Sequence, residues 1–326
     1  MAPDDWSRFA LRGACLAKLP GAALRQLLGH LPGPSIPCED AVLVPKTSGR
    51  LLTTVDFGPL VCPEPRIAGR VAALNAFSDI YAAGGSPLMA LAIVVVDIAQ
   101  PLEFAEQVIA GIAEACASEG AILGGGHTIT GAECTAGLSV IGHVQDSTIL
   151  RKAGALPGDE LLISKPIGLG LMLWGRSLGI IDDAALAPAI DVMLTSNAAA
   201  SRSAVAGLVH ASTDITGFGL LGHLSEMLGA EAGAFLNLDQ VPLLDGVQSL
   251  PPAARTTSAV GANIAYVAQS IAVRSRRPAS DLAPLFDAQT NGGLLVAVAP
   301  ESCTALERHG FTRVGCVTSE RAIVVE

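Results

Sequence analysis

Four aspartates stand among apolar or glycine-rich neighbours, a pattern typical of carboxylates that bind a cation. They are Asp40 before Ala-Val-Leu-Val, Asp56 in Thr-Thr-Val-Asp-Phe-Gly, Asp79 in Asn-Ala-Phe-Ser-Asp, and Asp214 in Ser-Thr-Asp-Ile-Thr-Gly. Mg²⁺ prefers oxygen ligands and commonly bridges carboxylates to substrate phosphates. Taken singly, each aspartate is more simply explained as a helix cap or a turn residue. The four together favour a magnesium site that serves phosphate chemistry.

Cys15 and Lys18 form a second candidate, three residues apart in Gly-Ala-Cys-Leu-Ala-Lys. The lysine and the amino end of a predicted helix beginning at Pro20 would each favour the thiolate form of the cysteine. A cysteine and a lysine at this spacing also occur by chance. The residues alone therefore leave a functional role for this pair open.

Glycine clusters are the third feature. They are Gly84-Gly85, the run Gly124, Gly125 and Gly126 followed by His127, and Gln289-Thr-Asn-Gly-Gly293. Consecutive glycines let backbone amides approach phosphate oxygens, but they also serve ordinary tight turns. No Gly-x-x-x-x-Gly-Lys-Ser/Thr pattern occurs, so a P-loop is excluded. His143 and His223 lie in apolar stretches and are predicted to be structural.

One further motif favours a different class of protein, a dinucleotide-binding oxidoreductase. Gly217-Phe-Gly-Leu-Leu-Gly222 matches Gly-x-Gly-x-x-Gly, and Asp239 lies at a plausible distance for a ribose hydroxyl. The preceding Ala-Ser-Thr-Asp-Ile-Thr is polar and does not have the pattern of a buried parallel strand. The Rossmann interpretation is therefore disfavoured.

The composition of the chain limits the classes of protein to which it can belong. The chain has 326 residues, of which 50% are apolar and 15% charged, with a net charge of −10 and seven cysteines. The apolar run Leu88–Val96 is too short to cross a bilayer, and the amino terminus lacks the pattern of a secretory signal. Basic runs for nucleic acid and Cys-x-x-Cys metal sites are missing from the sequence. We expect a cytoplasmic protein that binds neither membrane nor nucleic acid and has two domains, each with its own core.

The elements that must position these residues mix strands and helices irregularly, which predicts an α+β fold. Predicted strands cover residues 41–44, 51–55, 88–96, 138–144, 160–164, 234–238, 294–298 and 322–325, and predicted helices cover 66–82, 101–119, 169–177, 190–208 and 220–228. We expect a flexible glycine-rich segment over 1–38 that carries Cys15 and Lys18, an amino-terminal domain over 39–150 and a carboxyl-terminal domain over 156–326.

Four segments, in order, resemble the selenophosphate synthetase (selenide, water dikinase) family. They are Thr53-Thr-Val-Asp-Phe57 with Asn75-Ala-Phe-Ser-Asp-Ile-Tyr-Ala-Ala-Gly-Gly-Ser-Pro87, Gly124-Gly-Gly-His127, Thr213-Asp-Ile-Thr-Gly-Phe-Gly-Leu-Leu-Gly-His223, and Asp287-Ala-Gln-Thr-Asn-Gly-Gly293. The third string is the most specific. The similarity runs from about Gly13 to the carboxyl terminus.

The resemblance implies a two-domain ATP-binding fold like that of aminoimidazole ribonucleotide synthetase, with mixed sheets packed by helices and ATP in the cleft between the domains. It implies a homodimer that converts ATP, selenide and water to selenophosphate, AMP and phosphate, with a selenium-delivery protein as a further partner. By position, Asp40, Asp56, Asp79 and Asp214 would bind Mg²⁺, while Cys15 would handle selenide and Lys18 would face the phosphates. The resemblance also assigns ATP contacts to Lys18, Asp56, Asn75, Asp79, Gly124, Gly125, Gly126, His127 and Thr213.

The chain departs from the family pattern at several positions. Ala17 stands where a second cysteine is common, Thr130 where an acid is usual, and Asn291 where the family has serine. These differences suggest a divergent branch and keep two alternatives open. One is a sister ATP-dependent kinase or ligase acting on another acceptor, and the other is a non-catalytic paralogue that binds MgATP.

Overall fold

The computed structural model describes residues 42–43, 50–230 and 232–326. The predicted segment over 1–38, and with it Cys15 and Lys18, lies outside the described residues, as does Asp40. Within the described part, no helix is long and apolar enough to span a membrane.

The first half is a five-stranded sheet with two helices. Its elements are β1 (Val42–Leu43), β2 (Leu51–Pro59), α1 (Pro65–Ala82), β3 (Ser86–Asp97), α2 (Leu102–Ser118), β4 (Ile122–Gly131) and β5 (Thr135–His143). The strand order is β1-β2-β5-β3-β4, with β3 and β4 parallel and the other pairs antiparallel. β4 therefore lies at one edge of the sheet as described.

The second half is built on a seven-stranded mixed sheet. Its strands are β6 (Glu160–Ile163), β7 (Ala211–Asp214), β8 (Gly233–Leu236), β9 (Ala272–Ser275), β10 (Leu294–Val298), β11 (Thr312–Thr318) and β12 (Ala322–Val325), in the order β7-β10-β6-β11-β8-β12-β9. Its helices are α3 (Leu169–Ser177), α4 (Asp183–Leu194), α5 (Ala198–Ala206), α6 (Gly219–Leu228), α7 (Ser258–Ala268), α8 (Ala279–Phe286) and α9 (Pro300–Glu307). The predicted α+β class is confirmed.

Helix α1 connects the two halves. It packs on β2 and β5 on one side and contacts α4, α5 and β7 on the other. Gly69 permits its close crossing with α2, because a Cβ there would lie 2.1 Å from the carbonyl oxygen of Val108. One apolar cluster continues from the first sheet through α1 into the second. The expectation of two separate cores is therefore wrong, since α1 is buried nearly all round and serves both sheets.

Three predicted elements need correction. The single helix predicted over 190–208 is two helices, because the chain turns at residues 195–197, where the Asn197 side chain binds Ser78 on α1. The glycine cluster at 124–126 belongs to strand β4 and is not a turn. The polar stretch Ala211–Asp214 is a buried strand, β7, whose antiparallel pairing with β10 supplies the hydrogen bonds that polarity alone does not predict.

Candidate functional site

Two carboxylates lie side by side between β2 and α1. Alternation along β2 turns Thr54 and Asp56 toward α1, while their neighbours Val55 and Phe57 face outward. The Asn75 amide donates a 2.7 Å hydrogen bond to Oδ2 of Asp56. The Thr54 hydroxyl donates a 2.6 Å hydrogen bond to Oδ2 of Asp79. Because these donors are neutral, they orient the carboxylates without cancelling their charge.

The sequence spacing explains this arrangement. Asn75 and Asp79 are four residues apart on α1 and therefore share one helix face. Thr54 and Asp56 are two residues apart on β2 and share one strand face. The structure thus brings together Asp56, Asn75 and Asp79, three of the residues selected from the sequence.

The carboxyl-terminal half contributes Asp214 and Lys165, a residue that was not among those predicted from the sequence. Asp214 is buried at the end of β7. Lys165, just after β6, donates hydrogen bonds from Nζ to the carbonyl oxygens of Thr195 at 2.7 Å and Asn291 at 2.8 Å. Burial lowers the pKa of Lys165 to about 7, and the nearby Asp214 carboxylate opposes that shift. A lysine directly after an apolar strand was the available signal.

The segment 287–293 meets α1 at the cleft. Oδ1 of Asn75 accepts a 2.6 Å hydrogen bond from the backbone N–H of Asn291. The Asn197 amide donates to the carbonyl oxygen of Gly292 at 2.8 Å and to Oγ of Ser78 at 2.9 Å. Thr290, Asp56 and Asn75 line the same narrow cleft. Polar contacts therefore join the two halves beside the carboxylates.

The start of this segment is anchored to α3. The buried Asp287 accepts a 3.0 Å hydrogen bond from the backbone N–H of Leu171, and Gln289 accepts 3.0 Å bonds from those of Gly168 and Leu169. These side chains satisfy the otherwise unpaired first N–H groups of the helix. Burial raises the pKa of Asp287 to about 7, against the lowering effect of hydrogen bonds from the Leu171 N–H, the Gln289 side chain and the Gly170 N–H. This segment was predicted from the sequence as a glycine cluster and as part of the family resemblance, with no role assigned to Asp287 or Gln289.

The glycine-rich strand lies apart from the carboxylates within one chain. Gly124, Gly125, Gly126 and His127 belong to β4, which is three strand positions from β2, about 14 Å. A Cβ on Gly126 would lie 2.2 Å from the carbonyl oxygen of Ala92, so the close approach of β4 to β3 requires a glycine there. The structure does not bring this run together with Asp56.

Thr213 and His223 take local roles in the carboxyl-terminal half. Thr213 is buried in β7, and its hydroxyl donates to the carbonyl oxygen of Asp214 at 3.2 Å. His223 is buried on α6, and its Nε2 lies 3.2 Å from the hydroxyl oxygen of Thr216. The structural role predicted for His223 agrees with this contact.

A buried ion pair stabilises α6, the helix that carries His223. Lys152 Nζ lies 3.2 Å from Oε2 of Glu226, and the Tyr266 hydroxyl donates to Oε1 of Glu226 at 2.6 Å. Burial alone would raise the pKa of Glu226, but His223 and the Lys152 ammonium together lower it. The pair ties the junction between the two halves to the helix that follows Asp214.

The Rossmann interpretation fails on topology. The motif Gly217–Gly222 does lead into α6, but β7 before it pairs antiparallel with β10 and does not belong to a parallel crossover. Asp239 instead binds the Arg277 guanidinium through both carboxylate oxygens at 2.9 Å.

The donor chemistry of the cleft fits Mg²⁺. Within the described ranges, no three His, Cys, Asp or Glu side chains converge closely enough to hold a metal ion by themselves. Mg²⁺ commonly takes only one or two protein carboxylates and completes its shell with water and substrate phosphates. Asp56 and Asp79 supply such carboxylates, and Asp214 is a third on the opposite half.

Comparison with known proteins adds the family context. The model of the AIR synthase related protein, N-terminal domain, matches residues 38–144, and that of the C-terminal domain matches residues 157–326. The selenide, water dikinase of Myxococcus xanthus is 36% identical over 312 residues, covering 91% of this chain and 89% of that protein. The Pseudomonas straminea enzyme of the same name is 36% identical, covering 90% and 84%.

Solved structures share the fold at lower identity. Thiamine monophosphate kinase from Aquifex aeolicus superposes with a TM-score of 0.69 at 18% identity, covering 95% of this chain and 98% of that one. The hydrogenase maturation protein HypE superposes with a TM-score of 0.65 at 20% identity, covering 92% of each chain. These likenesses establish the architecture.

Proposed function

The chain belongs to the selenide, water dikinase family within the AIR synthase related proteins, and we infer that it is an enzyme making selenophosphate from ATP, selenide and water, with AMP and phosphate released. The observation that carries this inference from the geometry is the carboxylate pair. Asp56 and Asp79 are held by Asn75 and Thr54 at the cleft between the two halves. Such paired carboxylates suit phosphoryl transfer, in which positioning and charge stabilisation dominate catalysis.

We propose that Asp40, Asp56, Asp79 and Asp214 hold Mg²⁺ together with the ATP phosphates. The metal would supply positive charge against the triphosphate and the transferred phosphoryl group. Asn75 keeps the Asp56 carboxylate oriented, and Thr54 does the same for Asp79. The amine of Lys165 lies near Asp214, whose carboxylate favours the ammonium form of this lysine.

The roles of the remaining site residues rest on the family resemblance. Cys15 is proposed to handle selenide, and Lys18 to face the phosphates and add positive charge. Contacts to ATP are proposed for Gly124, Gly125, Gly126, His127 and Thr213. A selenium-delivery protein as partner and a cytoplasmic location stay predictions.

Product analysis tests the proposed function. Phosphorus NMR of the protein with ATP, Mg²⁺ and selenide should show AMP, phosphate and selenophosphate in equal amounts, and no AMP without selenide. Formation of ADP with indifference to selenide would identify a kinase or ligase for another acceptor. MgATP binding without any turnover would identify a non-catalytic paralogue.

We further propose that two copies associate through the outer face of the first sheet. This face carries Val55, Phe57, Leu91 and Ile129, whose exposed fractions are 59, 54, 42 and 51%. Ile93 and Val95 lie beside them on the same face of β3. A contiguous apolar face of this kind is typical of a protein interface.

Changing Leu91 to glutamate is expected to convert the dimer to a 33.1 kDa monomer, because the charge would be buried at the centre of the interface. Light scattering coupled to size-exclusion chromatography measures the mass. The matched control is Leu178→Glu, a similarly exposed leucine at the end of α3. A Leu91→Glu protein that keeps the mass of two copies would rule out this interface.

A further inference from the structure

Asn291 has an unusual backbone conformation for a buried residue. Its φ is +48°, in the left-handed region that residues other than glycine seldom adopt, and its side chain is fully buried. Its Oδ1 is also buried without a hydrogen-bond partner. Both features cost free energy, and such costs are typical of residues held in place for function.

The polar groups of Asn291 reach three separate elements. Its backbone N–H donates to Asn75 on α1 at 2.6 Å, and its carbonyl oxygen accepts from Lys165 at 2.8 Å. Its side-chain amide donates to the carbonyl oxygens of Met193 at 2.6 Å and Thr195 at 3.0 Å. Because both of these neighbours are acceptors, the orientation of the Asn291 amide is fixed.

The contact with Asn75 fixes the orientation of a second amide. A backbone N–H can only donate, so Oδ1 of Asn75 must face Asn291. Nδ2 of Asn75 must then face Asp56, to which it donates at 2.7 Å. The conformation of Asn291 is in this way transmitted to a carboxylate on the other half of the molecule.

We propose that Asn291 is a positioning residue that joins the carboxyl-terminal half to Asn75 and thereby sets the orientation of the Asp56 carboxylate for MgATP. The proposal rests on the proposed use of MgATP and goes beyond it, because Asn291 itself need not contact the nucleotide. Its side chain anchors the segment to the end of α4, and its backbone presents the N–H to Asn75.

The test is Asn291→Gly, which keeps the positive φ and the backbone N–H but removes the anchor. We expect MgATP affinity to fall about tenfold, with kcat changed less than KM, because the segment no longer holds Asn75 in one orientation. Calorimetry without selenide measures the affinity, and thermal unfolding of the same sample measures stability. If Asn291→Gly does not fold, Asn291→Asp, which has nearly the same shape but whose carboxylate cannot donate to the Met193 and Thr195 carbonyl oxygens, carries the same expectation.

The matched control is Ser201→Ala. The buried Ser201 donates a 2.7 Å hydrogen bond to the carbonyl oxygen of Tyr81, also on α1 but beyond the site. This variant should lose comparable stability while its MgATP affinity stays within about twofold. A loss of MgATP affinity in Asn291→Gly but not in Ser201→Ala, at comparable loss of stability, distinguishes a positioning role from a structural one.

A double-mutant cycle tests whether Asn291 affects MgATP binding through Asn75. In an Asn75→Ala background, Asn291→Gly should cause little further loss of MgATP affinity, because the coupling residue is already gone. Unchanged affinity in Asn291→Gly, or full additivity in the cycle, overturns the proposal. Since the readout is MgATP binding, a wild-type protein that binds MgATP but makes no selenophosphate would refute the proposed function and leave this role standing.

Discussion

Replacing Cys15 by alanine is expected to reduce selenide-dependent AMP formation at least about 100-fold while MgATP still binds. From the family resemblance, this cysteine is proposed to be the selenide-handling thiol, and Lys18 three residues away in the sequence would favour its thiolate. Removing the sulfur removes the group proposed to handle selenium but none of the proposed magnesium ligands. Chromatographic assay of AMP with and without selenide measures the loss, and calorimetry measures MgATP binding.

The buried cysteines that the structure describes are poor substitutes for Cys15. Burial raises the pKa of Cys62 to about 12 and that of Cys116 to about 11, so both stay protonated at neutral pH. Cys316→Ala is a suitable control, because this thiol is partly exposed on β11 and its pKa is also raised by burial. The control should keep full activity. Full activity in Cys15→Ala would show that the assigned thiol chemistry is wrong.

Segments with a clear end signal or an apolar composition rich in Ile and Val were predictable from the sequence alone. The helix predicted over 66–82 corresponds to α1 at Pro65–Ala82, and the strand predicted over 88–96 corresponds to β3 at Ser86–Asp97. β4 and β7 escaped prediction because neither has an apolar strand pattern. β4 is glycine-rich and exposed, and β7 is polar yet buried through its pairing with β10. Both segments form strands because of their pairing with neighbouring strands, which the local sequence does not encode.

The residues of the site also fall into those that were predictable from the sequence and those that were not. Asp56 and Asp79 were selected from the sequence by their apolar surroundings and Asn75 through the family resemblance, and the structure brings the three together. Lys165 and Asn291 could not be grouped from the sequence, since they meet only when segments 126 residues apart in the chain come together. The one local signal for Lys165 was its place directly after an apolar strand, and Asn291 stood out only as a departure from the family pattern. The local sequence does not encode which backbone groups pair with each other across the cleft.

Asp79→Asn and Asp214→Asn are each expected to reduce turnover at least about 100-fold and to weaken Mg²⁺-dependent ATP binding. Asparagine keeps the shape of aspartate, and its carbonyl oxygen can still accept the Thr54 hydroxyl that binds Asp79. The loss therefore comes from the missing negative charge, which Mg²⁺ requires of its protein ligands. In Asp214→Asn, Lys165 also loses the carboxylate that supports its ammonium form.

The dependence of the rate on Mg²⁺ concentration measures this effect, because a weakened ligand set should need more Mg²⁺ for half-maximal activity. Asp159→Asn is the matched control. It removes a buried carboxylate, 2.9 Å from Nδ1 of His210, in the carboxyl-terminal half but outside the cleft. This variant should lose stability while its Mg²⁺ dependence stays that of the wild type. Unchanged kinetics in both Asp79→Asn and Asp214→Asn would leave these aspartates with only structural roles, since charge at the cleft is the property that both variants remove.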